Sequence, residues 1–224
     1  MRAVEAIRDV VVEPGRATDT REMAELFLEC FPDSVERMFN RRRPRPDAMA
    51  DFFAFVLRYE PEAVHTARAP GEEGGPPRLI GYAITPRHMP RLWLLAAATG
   101  AWVPWVLRFL AGRYGVGLDA APRVLRQKLA FATTFRPAHR CAAQVLSLAV
   151  ASAWQGRGVG RALLANGLDY LRSRKVRRVK LEVLRDNIPA LRLYQKAGFA
   201  PVGDMPDGSR RWIVMLKDLC VGTG

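Results

Sequence analysis

The sequence predicts one mixed α/β domain, on three observations. Apolar residues recur at strand spacing and then at helical spacing, in the order strand, helices, two strands, an insertion, then strand, helix, strand, helix, strand, strand. The 224 residues suffice for one substantial core or at most two small ones. A composition of 49% hydrophobic and 25% charged residues excludes global disorder and fibrous repeats. No internal repeat is evident.

Residues 3–12, with the triplet Val10, Val11 and Val12, read as an opening strand that Pro14 and Gly15 break. Thr18 or Asp19 is placed to cap a helix whose apolar positions Met23, Leu26, Phe27 and Cys30 share one face, ending before Pro32. Residues 34–40 read as a short helical turn, and the arginine- and proline-rich stretch 41–46 as a basic loop. From Asp47, the positions Met49, Phe52, Phe53, Val56 and Leu57 define a second amphipathic helix that stops near Pro61. Residues 63–69 and 79–85 are strands joined by a Pro/Gly-rich hairpin connection. Beyond the insertion at 87–140, strands are expected at 143–150, 179–184, 199–203 and 210–217, with helices at 158–173 and 189–197. The count is six to seven strands.

Within the insertion, the sixteen residues from Leu92 to Leu107 carry no charge and include Trp93, Trp102 and Trp105. A helix of that length reaches about 24 Å, short of a bilayer, and Pro104 is expected to break it. Three readings stand open: a cap over an acceptor groove, a homodimer contact, or a weak membrane-surface contact with Arg91, Arg108 and Arg113 near lipid phosphates. A further helix is expected at about 121–131.

Arginine supplies 30 of the 35 basic residues, against 22 acidic ones, for a net charge of +13. Such a balance suits a polyanion or a phosphorylated coenzyme, or is simply a solvated arginine-rich surface. No aromatic-interleaved basic strand of the RNA-binding kind is visible, so nucleic acid is not the expected partner. Cys30, Cys141 and Cys220, and His65, His88 and His139, are too scattered for a disulfide framework or a metal site. No metal is expected. The spread of cysteines and the charged start, without a basic-then-apolar leader, point to the cytoplasm.

The stretch from Leu148, Ala149 and Val150 through Gln155, Gly156, Arg157, Gly158, Val159, Gly160, Arg161 and Ala162 carries the chemistry. A buried strand runs into a glycine-rich turn and directly into an amphipathic helix, whose unpaired N–H groups and positive dipole end suit a pyrophosphate. A Walker loop requires Gly-Lys-Ser/Thr, and a dinucleotide fingerprint requires G-x-G-x-x-G; neither is present. What fits is Q-x-x-G-x-G, as Gln155, Gly158 and Gly160. Downstream follow Leu181-Glu182-Val183, Asp186-Asn187, Ala190, Leu193-Tyr194 and Lys196-Ala197-Gly198-Phe199. Taken together these motifs resemble the GNAT superfamily of N-acetyltransferases, over about residues 145–217; the first 85 residues match in element order only.

The resemblance implies a mixed, twisted sheet splayed at its fourth and fifth strands, acetyl-CoA as co-substrate, and a primary amine, peptide or small molecule, as acceptor. It places the pyrophosphate on Gly156 to Ala162, Asn187 beside the pantetheine, an oxyanion-binding N–H within Leu148, Ala149 and Val150, and Tyr194 near the sulfur as general acid. The spacing of Glu182 and Tyr194 resembles that of the bacterial ribosomal-protein alanine N-acetyltransferases and makes Glu182 a candidate base; a water chain is the alternative. Read as ordinary structural residues, Asn187 is a helix N-cap ahead of Pro189 and Tyr194 a packed helix residue. A non-catalytic CoA-binding, membrane-surface or nucleic-acid-associated module is the rival to the enzyme. The family joins its third and fourth strands by a short turn, so the insertion departs from its pattern.

Overall fold

The computed structural model describes residues 10–38, 44–71, 75–115, 141–207 and 210–219. In chain order the elements are β1 (Val11–Pro14), α1 (Thr20–Cys30), α2 (Pro32–Met38), α3 (Asp47–Tyr59), β2 (Val64–Ala69), β3 (Arg78–Ile84), α4 (Met89–Ala98) and α5 (Trp102–Leu110). They continue with β4 (Ala143–Gln144), β5 (Ser147–Val150), α6 (Val159–Ser173), β6 (Arg178–Leu184), α7 (Ile188–Lys196), β7 (Ala200–Asp207) and β8 (Arg210–Asp218). Two four-stranded sheets result, ordered β1-β2-β3-β5 and β4-β6-β8-β7. The β4–β6 pair is parallel and the remaining pairs are antiparallel, the mixed α/β architecture expected.

β3 is buried along nearly its whole length because both faces of its sheet are covered. On one face Met23 and Phe53 from α1 and α3 pack on Val64, Tyr82 and Ile84; on the other, Val159 and Leu163 from α6 pack on Ile80, Ala83 and Val150. α6 also packs Leu164, Leu168 and Leu171 against Leu181, Val183 and Met215, so one helix closes both sheets. Its approach is close. A Cβ on Gly167 would lie 2.6 Å from Thr85 Cγ2, which only glycine avoids. Burying each large side chain here contributes about 1.5–3 kcal/mol.

The strand expected at 143–150 is two strands, which raises the total among the described residues to eight. Gln144 lies in β4 beside β6, and the Val145 N–H still donates to Lys180 O at 2.8 Å. The next amide, Leu146, donates instead to Ile84 O of β3 at 2.8 Å. The Gln144 amide likewise donates to Pro86 O at 3.0 Å, so successive amides alternate between the two neighbours as in any central strand. With Leu146 and Ser147 both opposite Ile84 the chain bulges there, and from Ser147 on it pairs with β3 alone, so β5 parts from β6. A one-residue bulge leaves no mark in an apolar run, so the sequence reads as one strand.

Asp19 takes the N-cap position of α1 as expected, but its side chain makes no cap bond to that helix. Its carboxylate, 1% exposed, accepts from the Arg16 N–H at 2.8 Å and from Arg68 Nη2 of β2 at 2.7 Å, leaving no side-chain cap on α1. Asp19→Ala strands the Arg68 guanidinium, but Glu13 at 3.4 Å and Glu22 at 3.6 Å offset part of the loss. We expect about 2–3 kcal/mol of destabilisation by urea unfolding, below the ~3–5 kcal/mol of a fully uncompensated buried charge.

Between β3 and β4, α4 and α5 meet at an angle of 73°. The break falls at residues 99–101, where Gly100 has φ 65°, and not at Pro104. Pro104 lies in the first turn of α5, where no intrahelical acceptor waits for its missing N–H. No single helix among the described residues is long and apolar enough to cross a membrane. The pair is fastened to α3: Trp93 stacks on Phe52, Trp105 meets Phe55 edge-on at 5.4 Å, and Asp51 accepts from Arg108 and, at 2.6 Å, from the Tyr114 hydroxyl. The strand expected at 3–12 falls largely outside the described residues, as do the arginine run 41–43, the helix expected at 121–131, and Cys220.

Candidate active site

The parting of β5 from β6 makes a wedge, and backbone chemistry faces into it. In the β3–β5 ladder Tyr82 pairs with Ala149 and Ile84 with Ser147, while the Ala151 N–H donates to Ile80 O at 2.8 Å. Antiparallel alternation then turns the amides of Leu148 and Val150 to the edge away from β3. Ala149 is excluded from that edge: its amide belongs to the ladder and its side chain, 1% exposed, packs with the α1–α3 core. Val150 O is occupied, accepting from Gln155 Nε2 at 2.9 Å and from Cys30 Sγ at 3.4 Å. Gln155 thereby braces the loop against the strand end.

The turn that follows relies on two glycines with positive φ, Gly156 at 73° and Gly158 at 90°. Gly158 is the N-cap of α6 in the left-handed region, and no side chain caps that helix end. The Ala162 N–H donates to Gly158 O at 3.0 Å, so the amides open to a ligand are those of Val159, Gly160 and Arg161, and Ala162 contributes none. These donors, with the positive end of a fifteen-residue helix behind them, form an anion cradle. Space before Gly156 is open, since a Cβ there would meet nothing within 4 Å. At Gly160 a Cβ would point to Leu193 Cδ2, Val150 Cγ2 and Leu148 Cδ2 at 3.5–3.7 Å, across the mouth of the wedge. Arg161 is exposed, while the Arg157 guanidinium lies over the Trp154 ring at 5.2 Å.

Tyr194 and Glu182 come from opposite faces of the second sheet. Val179, Leu181 and Val183 of β6 face α6 and α7, so Lys180 and Glu182 face the other way. Tyr194, 8% exposed, sits among the α6–α7 side chains with its ring edge-on to Phe199 at 5.9 Å. Burial pushes its phenol up to about 12, so it remains protonated throughout neutral pH. Asn187 takes the N-cap position of α7, its Oδ1 accepting from the Ala190 N–H at 3.2 Å. Its amide nitrogen is left for other partners.

Gln144 was not singled out by the sequence. Its Nε2 donates to Glu182 Oε2 at 2.9 Å, and Lys180 Nζ lies 3.4 Å from Glu182 Oε1, so the candidate base is held from both sides. The parallel pairing of β4 with β6 creates that contact, and no local pattern announces it. Beside the wedge, the fully buried Tyr82 hydroxyl bonds Ser147 Oγ at 2.9 Å. Burial, with Glu29 adding to it, pushes the Cys30 thiol up to about 11. Against a free cysteine near 8.5, its thiolate population at pH 8 falls by roughly two orders of magnitude. Iodoacetamide at pH 8 should therefore label Cys30 by peptide mapping only after unfolding. A cavity of about 400 Å³ lined by His65, Asn166, Asp169 and Tyr170 lies toward the other end of α6 and includes none of the wedge residues.

A family model described as the acetyltransferase (GNAT) family matches residues 120–199, the span of the loop, Glu182, Asn187 and Tyr194. Mycothiol acetyltransferase of Acidothermus cellulolyticus is 48% identical over 61 residues, 27% of this chain and 19% of that protein. Mycothiol acetyltransferase of Beutenbergia cavernae is 48% identical over 59 residues, 26% of this chain and 20% of that protein. The chain thus spans about a fifth of the length of these curated relatives. Among solved structures, SsHAT superposes with a TM-score of 0.65 at 21% identity, over 95% of this chain and 99% of that one. The yncA protein of Salmonella typhimurium, determined with its cofactor acetyl-CoA, gives 0.59 at 16% identity, over 97% and 98%. At these identities the superpositions show the fold. The family model thus covers the motif segment alone and the superpositions show the fold, so the chain is similar to GNAT acetyltransferases in that segment and in its architecture.

Proposed function

We propose that this protein transfers the acetyl group of acetyl-CoA to a primary amine, a peptide α-amine or a small-molecule amine, by direct attack. One observation carries the reading: β5 and β6 part beside an uncapped helix N-terminus entered through Gly156 and Gly158. The amides of Val159, Gly160 and Arg161 suit the pyrophosphate, and the wedge suits the pantetheine arm, with the free side-chain amide of Asn187 near its end.

In this reading the amine nitrogen bonds to the thioester carbon and the carbonyl oxygen takes up negative charge. The Leu148 or Val150 N–H donates to that oxygen. The C–S bond then breaks, the thiolate takes a proton from Tyr194, and the ammonium formed by attack returns one through solvent or through Glu182. A phenol near 12 does not give up its proton fully to a thiolate whose acid lies near 8.5, so donation and re-supply occur together. Because Glu182 and Tyr194 occupy opposite sheet faces, acceptor and coenzyme approach from opposite sides. An α-amine, with a pKa near 8, needs less help from a base than a lysine amine near 10.4. The free thiols of Cys30 and Cys141 suit a reducing compartment such as the cytoplasm.

Calorimetric titration with acetyl-CoA, followed by thiol release with peptides, polyamines and aminoglycosides as acceptors, tests this. Saturable binding and acceptor-dependent thiol release are expected. A folded protein that binds neither CoA nor acetyl-CoA overturns the proposal, and binding without turnover across such a panel favours a coenzyme-binding module.

A further inference from the structure

We propose that α4 and α5 together form a docking surface for an anionic lipid bilayer. Seven of the ten large hydrophobic side chains exposed among the described residues lie on this pair, including Leu94 at 69%, Trp102 at 50%, and Leu107 and Leu110 at 60%. The exposure does not come from a loosely held segment. Leu92 and Ala96 are buried in the core, Trp105 rests on Phe55, and Asp51 holds both Arg108 and Tyr114. The opposite side of the pair is thus anchored while its apolar side faces outward, and α5 has no buried residue at all. Apolar patches of this kind on an otherwise charged surface mark an interaction site.

Charge identifies the occupant. From Gly74 to Leu118 the chain carries no acidic residue and five arginines, at 78, 87, 91, 108 and 113. Arg108 is committed to Asp51, but Arg91 and Arg113 are exposed at the two ends of the pair. The Arg45 N–H donates to Tyr114 O at 2.8 Å, which brings the end of the basic run 41–45 beside Arg113. An apolar face with tryptophans, rimmed by cations and bearing no carboxylate of its own, matches the acyl boundary and phosphates of an anionic membrane surface. With ten and nine residues bent by 73°, the helices extend about 15 and 14 Å, so they lie in the interface and do not span it.

Co-sedimentation with phosphatidylcholine vesicles, and with vesicles containing about a quarter phosphatidylglycerol, tests the proposal. Binding to the anionic vesicles should be at least about tenfold tighter than to the neutral ones, and should weaken as salt is raised. The double variant Leu107→Glu, Leu110→Glu should lose at least about tenfold of that binding while its circular dichroism and melting temperature stay unchanged. Brominated lipid should quench tryptophan fluorescence less in Trp102→Phe. No vesicle binding, or binding that the double variant retains, overturns the proposal. A dimer in light scattering that the double variant abolishes, without vesicle binding, overturns it in favour of a second copy of this chain.

Discussion

Tyr194→Phe should lower kcat by about 10²–10⁴-fold while coenzyme affinity barely moves. The substitution keeps the ring against Phe199 and within the α6–α7 core, so packing is preserved and only the hydroxyl is lost. Burial holds that hydroxyl protonated up to about 12, so no basic limb from Tyr194 should appear in the pH–rate profile below about pH 11. A purely structural tyrosine predicts full activity, and a variant within a factor of about two of wild type would retire the acid role. Glu182→Gln completes the comparison. A carboxylate base loses activity as pH falls through its pKa, so its amide variant should lose that acidic limb. If Glu182 only receives the Gln144 and Lys180 contacts, the variant should lose stability and keep the limb.

Gly160→Glu should weaken CoA binding at least about tenfold by calorimetry. The backbone at Gly160 is helical, and a Cβ meets Leu193, Val150 and Leu148 only at ordinary van der Waals distances, so alanine is accommodated. Glutamate extends from that point across the mouth of the wedge and sets a negative charge beside the amides reserved for the pyrophosphate. Gly160→Ala is therefore the control: it should fold normally and bind more tightly than the glutamate variant. Gly158→Ala tests a different quantity, because φ of 90° strains any side chain and disturbs the turn itself. Unchanged affinity in a folded Gly160→Glu protein would place the coenzyme elsewhere.

Local pattern alone determined much of this protein. The periods of α1, α3, α6 and α7, the β2–β3 hairpin and the Q-x-x-G-x-G turn before α6 follow from side-chain spacing and from glycine and proline, which act within a few residues. The cap role of Asn187 was also legible, because a cap lies three residues from the amide it satisfies. What tertiary structure decided depends on contacts between residues far apart in the chain. Asp19 holds the N-cap position that the sequence gives it, but its carboxylate answers to Arg68, forty-nine residues on. Residues 143–150 read as one strand because hydrophobic alternation is blind to which neighbour supplies the hydrogen bonds. The bulge that sets Leu146 and Ser147 both opposite Ile84, after which β3 is the remaining partner, is a property of two sheets meeting. The parting of β5 from β6 opens the wedge, the β3–β5 register selects Leu148 and Val150 over Ala149, and the β4–β6 pairing sets Gln144 against Glu182. Likewise, the bend at Gly100 and the outward apolar face of α4 and α5 follow from how Trp93, Trp105 and Arg108 seat on α3, since hydrophobicity in the sequence does not say which side is covered.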